Sequence, residues 1–272
     1  MDKLEAFLAR AETLMARLEP LLPPAIPEPD WTAPAFRWCR AGLSGWLEAI
    51  HAPHTVRLAD LNDIERQKTL IVRNTEQFLA GRPANNVLLT GARGTGKSSL
   101  VKALLTEYAD RGLRLVEMEK ADLVDLPDVL ACLETRPERF IVFVDDLSFE
   151  EGEPAYKMLK SVLDGSLERA PDNVLLYATS NRRHLMPRSN DESAGRLRAA
   201  EDAEEEVSVS DRFGLWLGFP PMDQAAYLDA VRGYADRFGL ETAELDRRAL
   251  QWAQMRGGRS GRVAWQFIRE LA

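Results

Sequence analysis

Short apolar runs alternate with segments of helical spacing along most of the chain. The runs fall at residues 87–90, 113–118, 140–144, 173–179 and 214–219. The stretch from Ile141 to Val144 is apolar at every position, which is typical of a parallel strand buried between two layers of helices. The alternation of such strands with helices predicts an α/β fold, with three αβα layers built around a parallel sheet.

Residues 1–19 carry one apolar helix face. Apolar side chains recur there at spacings of three and four, at Leu4, Phe7, Leu8, Ala11, Leu14, Met15 and Leu18. We expect a helix whose apolar face packs against the body of the same chain. A partner helix or a neighbouring subunit is the alternative for this face.

A proline-dense segment follows the predicted helix. Its prolines are Pro20, Pro23, Pro24, Pro27, Pro29 and Pro34. Such density favours extended backbone and indicates a spacer. The aromatic residues of the next segment are Trp31, Phe36, Trp38 and Trp46. We expect these in a short helical segment as packing anchors, since no polar cluster accompanies them as in a ligand cage. Residues 1–55 are therefore predicted to form a helical and proline-rich extension.

Helical spacing also marks both ends of the alternating region. Residues 60–79 have a helical pattern that ends at Gly81, a plausible cap. After Pro220 and Pro221 the pattern is helical to residue 272. We therefore predict an αβα core over 56–220 and a small helical domain over 221–272. Residues 190–209 carry seven Asp or Glu among small residues, for which we expect a solvated loop, with a gating role left open.

Composition narrows the class of protein. Hydrophobic residues make up 45% of the chain and charged residues 29%, as in ordinary soluble domains. Since no run approaches the roughly 20 apolar residues that span a bilayer, and the N-terminus lacks a signal-peptide block, we expect a cytoplasmic protein without a membrane partner.

Cys39 and Cys132 lack metal-ligand spacing. A net charge of −8 disfavours a generally basic nucleic-acid-binding surface, although Arg182, Arg183 and Arg188 leave a local one open.

A glycine-rich segment follows the first apolar run of the core. Eight residues fit the pattern G-x-x-x-x-G-K-[ST], namely Gly91, Ala92, Arg93, Gly94, Thr95, Gly96, Lys97 and Ser98, and Ser99 follows as a further candidate. In such a loop the backbone N–H groups face phosphate oxygens, Lys97 reaches the β- and γ-phosphates, and Ser98 binds Mg²⁺. The helix that begins here adds its N-terminal dipole. A strand directly before and a helix directly after favour nucleotide binding over a chance glycine-rich turn.

Two adjacent carboxylates follow the strand predicted at residues 140–144. Asp145 and Asp146 would lie at the edge where open α/β sheets hold their ligands. Asp145 is therefore expected to hold Mg²⁺, and Asp146 to orient or polarise an attacking water molecule. A capping role for the strand-end Asp is the alternative.

In the order of these motifs, residues 56–272 resemble an AAA+ ATPase. The chain is most similar to a bacterial family known only as P-loop ATPases of unknown function, through the strings FLAGRPANNVLL, DDLSFEEG, ATSNRRHLMP and SDRFGLWL. It resembles bacterial helicase loaders and transposition helper ATPases more distantly. The resemblance implies an AAA+ core with a C-terminal helical lid.

The resemblance also implies roles for further residues. Asn181 matches sensor 1, Arg212 the arginine finger that reaches a neighbouring subunit, and Arg262 sensor 2 on the lid, with Arg259 as its rival. Asp63 and Ile64 match the stretch that cups adenine. Taken singly, Asn181 has a turn residue as its alternative, Arg212 a surface ion pair, and Arg262 a residue that caps or solvates the final helix.

Two residues depart from the AAA+ pattern. Asp146 stands where most members have Glu, so we expect slow basal hydrolysis, with Glu150 and Glu151 as alternative bases. Asp63 stands where Gly is usual, which puts the local backbone shape in question.

The expected function is hydrolysis of Mg·ATP to ADP at an interface between copies of this chain. A nucleotide-dependent homo-oligomer would then remodel or load a protein or nucleoprotein client that the sequence does not identify. The alternatives are a nucleotide-dependent switch with little hydrolysis, and a helicase-loader-like protein that binds single-stranded DNA.

Overall fold

The computed structural model describes residues 3–18, 28–42, 44–150, 153–164, 170–181, 212–240 and 244–271. Within these residues the strands are β1 (Ala35–Ala41), β2 (Ser44–Ile50), β3 (Val87–Gly91), β4 (Leu113–Met118), β5 (Arg139–Val144), β6 (Val174–Ser180) and β7 (Leu215–Phe219). They form one seven-stranded sheet in the order β2-β1-β4-β5-β6-β3-β7. Only the β1–β2 pair is antiparallel among them. The α/β prediction and its five strands are confirmed.

The described helices are α1 (Lys3–Leu18), α2 (Glu65–Leu79), α3 (Lys97–Tyr108), α4 (Leu126–Glu134), α5 (Pro154–Asp164), α6 (Gln224–Arg237), α7 (Leu245–Met255) and α8 (Gly261–Leu271). Helices α2 and α3 cover one face of the sheet, and α4 and α5 cover the other. Alternate residues of β5 enter opposite cores: Ile141 and Phe143 pack with α2 and α3, whereas Val142 and Val144 pack with α4 and α5. This alternation places the sheet between two helical layers.

The aromatic segment near residue 36 is a β-hairpin, so the helix predicted there is wrong. Phe36 and Trp38 are buried, whereas Arg37 between them is exposed. This alternation has the period of a strand, and aromatic side chains favour strands. Because β1 pairs with β4, the hairpin extends the same sheet as the predicted core. Phe36 and Trp38 are packing anchors, as expected.

The predicted helices at the two ends of the chain have different surroundings. The lid helices α6, α7 and α8 enclose an apolar cluster of their own that includes Tyr227, Val231 and Phe267. Helix α1 forms as predicted, but its large apolar side chains are exposed. The expectation that this face packs against the body of the chain is therefore wrong for the described residues. The acidic stretch 190–209 lies outside them.

Among the described residues, no helix combines the length and apolar character needed to cross a membrane.

Candidate functional site

A cavity of about 650 Å³ lies between the sheet edge and the lid. Most of its lining falls into two groups, and the remaining lining residues are His54, Thr55, Asp60, Asn62, Arg237, Gly261 and Arg262. The polar wall consists of residues 93–99, Asp145, Asp146, Thr179 and Asn181. The apolar wall consists of Val56, Leu61, Ile64, Met222, Ala230, Tyr234 and Trp265. The volume is in the range of small-molecule sites.

The polar wall forms where three parallel strands end. Strands β5, β6 and β3 are neighbours in the sheet, and the glycine-rich loop, Asp145 and Asn181 directly follow them. Parallel strands bring their carboxyl ends to one edge, which is where open α/β sheets hold ligands. Residues that are far apart in the sequence therefore meet here.

The loop wraps the start of α3. Gly96 has a φ of 92°, a left-handed conformation that glycine adopts without strain, and α3 begins at the next residue. The Thr95 hydroxyl donates to the Ala92 carbonyl at 2.8 Å and braces the loop. The N-terminal N–H groups of α3 thus face the cavity, a favourable setting for an anion.

Lys97 is buried at the centre of this loop. Its Nζ donates to the carbonyls of Gly91 and Ala92, at 2.8 Å each, and to Asn181 Oδ1 at 3.0 Å. Burial lowers the pKa of the Lys97 ammonium, and the carboxylates of Asp145 and Asp146 oppose this effect. Gly91 and Ala92 therefore orient the lysine and do not line the cavity themselves.

Asp145 accepts hydrogen bonds from two hydroxyl groups. Ser98 Oγ donates to Asp145 Oδ1 at 2.6 Å, and Thr179 Oγ1 donates to the same oxygen. Thr179 Oγ1 also accepts the backbone N–H of Asp146 at 2.9 Å. Sequence reasoning missed Thr179, although its place two residues before Asn181 on a predicted strand was a usable signal.

Asp146 turns sharply out of β5. Its φ is 55°, in the left-handed region that Asp tolerates better than most residues. Asn181 Nδ2 donates to its Oδ1 at 2.5 Å, and the exposed Arg93 guanidinium lies 3.4 Å from its Oδ2. Asn181 therefore connects Lys97 to Asp146. Glu150 does not line the cavity, and Glu151 lies outside the described residues.

The lid contacts the loop directly. The backbone N–H of Gly261 donates to the Gly94 carbonyl at 3.0 Å. A side chain at Gly94 would approach Ser260 to 2.8 Å, so the close approach requires glycine. Arg262, one residue further along α8, lines the cavity, whereas Arg259 does not.

Two aromatic side chains contribute to the apolar wall. The rings of Tyr234 on α6 and Trp265 on α8 meet edge to face, with centroids 5.2 Å apart. Ile64 is buried beside them on the core side of the cavity. Sequence reasoning missed Tyr234 and Trp265; the spacing of three between Arg262 and Trp265 on one helix was a signal for the second.

Asp63 keeps the backbone shape that a glycine would allow. Its φ is 62°, and its exposed side chain does not line the cavity, unlike the neighbouring Asn62 and Ile64. Partial burial raises the pKa of the Asp63 carboxyl, and Asp229 and Asp223 raise it further. The substitution therefore preserves the turn but adds a carboxylate to an acidic neighbourhood.

Arg212 lies away from the cavity of its own chain. It forms an ion pair with Asp164 at the end of α5 and does not line the cavity. Arg182, Arg183 and Arg188 lie outside the described residues.

The fold and site define an α/β protein with a glycine-rich phosphate-loop motif at one edge of a mostly parallel sheet and a helical lid beside it. Residues 31–272 match the family described as "Protein of unknown function (DUF815)", and the chain belongs to that family. No curated protein matches the sequence.

Solved structures of RuvB from Thermotoga maritima are similar to the chain. The one described as a Holliday junction branch migration motor is 14% identical, with a TM-score of 0.43 over 79% of this chain and 72% of that one. A point variant of RuvB in which Arg is replaced by Ala is 14% identical, with a TM-score of 0.46 over 78% and 70%.

Proposed function

We propose that this protein is an ATPase that binds Mg·ATP in the cavity and hydrolyses it with an arginine from a neighbouring copy. The observation that carries the proposal is the connected polar wall, in which Asn181 bonds both Lys97 and Asp146. Through Asn181, the ammonium that would contact phosphate is connected to the carboxylate that would orient water.

The polar wall also fits a magnesium ion. Ser98 and Asp145 bring a hydroxyl and a carboxylate oxygen within 2.6 Å of each other, and hard oxygen ligands suit Mg²⁺. These two residues would hold the ion, which when bound neutralises charge on the β- and γ-phosphates. Thr179 keeps the Asp145 carboxylate oriented toward Ser98.

In the proposed reaction, water attacks the γ-phosphorus of ATP. The bond to the β,γ-bridging oxygen breaks, ADP leaves with the bonding electron pair, and the water proton is lost to the phosphate product. Lys97 exchanges its hydrogen bonds to the Gly91 and Ala92 carbonyls for bonds to the phosphate oxygens. Asp146 orients the water, and Asn181 orients Asp146. Arg262 approaches the phosphates from the lid. The position of the lid therefore changes when ATP is converted to ADP.

The position of Arg212 supports a site shared between copies. This arginine does not line the cavity of its own chain, so in the proposed assembly it leaves its ion pair with Asp164 and its remaining contacts to reach the cavity of a neighbour. Such arginines contribute about 10³- to 10⁵-fold in rate. The active form is then a nucleotide-dependent homo-oligomer, which remodels or loads a protein or nucleoprotein client.

A nucleotide-dependent switch is the second candidate function, and one observation favours it. Both oxygens of Asp146 have neighbours, Asn181 on one side and Arg93 on the other. A short carboxylate held in this way orients water less well than a longer Glu. ATP would then be bound and rarely hydrolysed.

Phosphate release per protomer, measured over a wide range of protein concentration, tests the proposal. Lys97→Ala serves as the blank. A specific rate that rises with concentration supports the shared site, whereas a flat rate above the blank contradicts it. Tight ATP binding with no rate above the blank favours the switch.

A mixture of two inactive variants sharpens this test. Arg212→Ala retains an intact phosphate loop, and Lys97→Ala retains the arginine. If the site is shared, mixing them restores part of the activity, because some interfaces combine an intact Lys97 with an intact Arg212. A mixture no more active than its components contradicts a contribution of Arg212 in trans.

A further inference from the structure

Helix α1 presents an apolar stripe that no described part of the chain covers. Every described side chain of α1 is exposed except that of Ala11, which is half-buried. The large apolar side chains are Leu4, Phe7, Leu8, Leu14 and Met15, each more than half exposed. An apolar stripe of this kind on a helix indicates a surface that is covered by a partner.

The spacing within this stripe indicates the kind of partner. In the sequence, Phe7 and Leu14 are seven residues apart, as are Leu8 and Met15, and Leu4, Ala11 and Leu18 continue the same repeat. A seven-residue apolar repeat is the pattern with which one α-helix packs along another in a coiled coil. The partner is therefore a helix that runs beside α1.

Charged residues flank the stripe with opposite signs on its two sides. Lys3, Arg10 and Arg17 form a basic row with the same seven-residue spacing, and Glu5 and Glu12 form an acidic row. At about 100° per residue, each row lies about 100° from the midline of the stripe, on opposite sides. The helix thus has one basic and one acidic flank.

These flanks fit a second copy of the same helix in one direction only. When two identical helices pack in parallel, the basic flank of each meets the acidic flank of the other. When they pack antiparallel, basic meets basic and acidic meets acidic, which is unfavourable. We propose that α1 associates in parallel with α1 of other copies of this chain.

This contact goes beyond the proposed ATPase function and does not depend on nucleotide. Copies arranged around a common rotation axis all present α1 in the same direction, so the contact is compatible with a pair or a ring. An isolated helix with little more than two repeats would associate weakly. When the proposed shared site brings copies together, the local concentration of α1 rises to roughly millimolar, and this strengthens the contact.

Disulfide trapping in the full-length protein tests the direction of packing. In a Cys39→Ser, Cys132→Ser background, Leu4→Cys places a single thiol near one end of the stripe. Parallel packing brings the two thiols together and gives a covalent dimer on mild oxidation. Antiparallel packing separates them by about 21 Å along the axis. Ala9→Cys, on the opposite side of the helix, is the control; equal trapping at both positions, or none at Leu4→Cys, overturns the proposal.

Charge reversal tests the role of the flanks without changing the stripe. The triple variant Lys3→Glu, Arg10→Glu, Arg17→Glu has two acidic flanks, and the double variant Glu5→Lys, Glu12→Lys has two basic flanks. Each alone should self-associate at least about 10-fold more weakly in sedimentation velocity without nucleotide. An equal mixture should recover association as mixed oligomers.

The two outcomes of the mixture separate this proposal from the ATPase proposal. Recovery shows that the variants remain folded and that the flanks determine pairing. Unchanged association of either variant alone, or no recovery on mixing, overturns parallel pairing. Lys97→Ala, which removes the phosphate grip, should associate through α1 like the unmodified protein.

Discussion

The two walls of the cavity are built in different ways. The polar wall takes residues 93–99 from one continuous segment and adds groups from the ends of β5 and β6. The apolar wall combines residues from the segment that precedes α2 with Met222, which precedes the first lid helix, and with residues from two lid helices. A phosphate group is recognised by backbone N–H groups whose geometry is local, whereas an adenine ring needs apolar faces that only tertiary packing brings together.

Because of this difference, the contributions of the two walls to nucleotide binding can be measured separately. If ATP spans both walls, the polar wall determines phosphate affinity and chemistry, and the apolar wall determines preference for the base. Each wall should therefore respond to substitution independently, since residues without shared partners usually contribute additively.

Loss of Lys97 should reduce ATP hydrolysis and phosphate binding more than any other substitution considered. Lys97→Ala removes a buried ammonium with three hydrogen bonds, so phosphate release should fall by at least about 1,000-fold. The same variant should also bind inorganic tripolyphosphate, which lacks a base, much more weakly, so that tripolyphosphate no longer competes with ATP. A colorimetric phosphate assay and a competition titration measure the two effects.

Lys102→Ala is the matched control on the same helix. Lys102 lies 3.8 Å from Glu117 and does not line the cavity. Its loss should change neither assay more than about 2-fold, since exposed ion pairs contribute little. Equal losses in both variants would show that the assays report the stability of α3 and not phosphate contact.

Thr179 should have the next largest effect. Thr179→Val keeps the shape of the side chain but removes the hydroxyl that contacts Asp145 and the Asp146 N–H. Because one of these partners is charged, kcat should fall by about 10- to 100-fold, with a smaller change in ATP affinity. Steady-state kinetics and equilibrium ATP binding separate the two.

Thr179→Ser retains the hydroxyl and should retain most of the activity. If Thr179→Ser loses as much kcat as Thr179→Val, packing of the methyl group, and not the hydrogen bonds, explains the effect.

The polar wall was more accessible to sequence reasoning than the rest of the molecule. The glycine-rich loop and the strand before Asp145 are defined by neighbouring residues, and the five strands of the core were confirmed for the same reason. The β1–β2 hairpin is absent from the prediction, which assigns Phe36 and Trp38 to a helix, although their alternation with Arg37 fits a strand. Its pairing with β4 joins residues about 80 positions apart, a contact that local spacing does not encode.

The apolar wall illustrates the same limit within the site. Tyr234 and Trp265 lie on different helices and meet only because the three lid helices pack around a shared apolar cluster. Their apolar character is equally compatible with a place inside that cluster. Nothing local distinguishes a ring that faces the cavity from one that is fully enclosed.

Loss of Trp265 should weaken base recognition and leave phosphate recognition intact. Trp265→Ala removes an aromatic face from the apolar wall, so ATP and ADP should both bind about 10-fold more weakly, as expected for the loss of base stacking. Tripolyphosphate affinity should not change. Competition titrations with the three ligands give this comparison directly.

Trp252→Ala is the control for general damage to the lid. Trp252 packs against Phe267 within the same helical region and does not line the cavity. If both tryptophan variants lose ATP affinity equally, the effect comes from lid stability. Loss of tripolyphosphate binding in Trp265→Ala alone would contradict the separation of the walls.

Asp63 should have the smallest effect, and it should depend on pH. Asp63→Asn keeps a side chain that tolerates the left-handed turn and removes the carboxylate beside Asp223 and Asp229. The pKa of Asp63 is raised in the folded protein, so its ionisation disfavours the fold, and the associated stability is lost as pH rises through the folded pKa. Because solvent screens an exposed carboxylate, Asp63→Asn should be more stable than the unmodified protein at pH 7 by only about a few tenths of a kcal/mol, and this gain should disappear near pH 3.8 and below.

Chemical unfolding at a series of pH values measures this gain, and Asp63→Ala isolates the backbone. Alanine also removes the charge but is strained at a φ of 62°, so it should be less stable than Asp63→Asn by about 1 kcal/mol at every pH. If the difference between Asn and Ala varied with pH, the turn itself would respond to a neighbouring titration. If Asp63→Asn were no more stable than the unmodified protein at pH 7, the repulsion between Asp63 and the neighbouring carboxylates would be screened by solvent. The left-handed turn alone would then explain why Asp stands at this position.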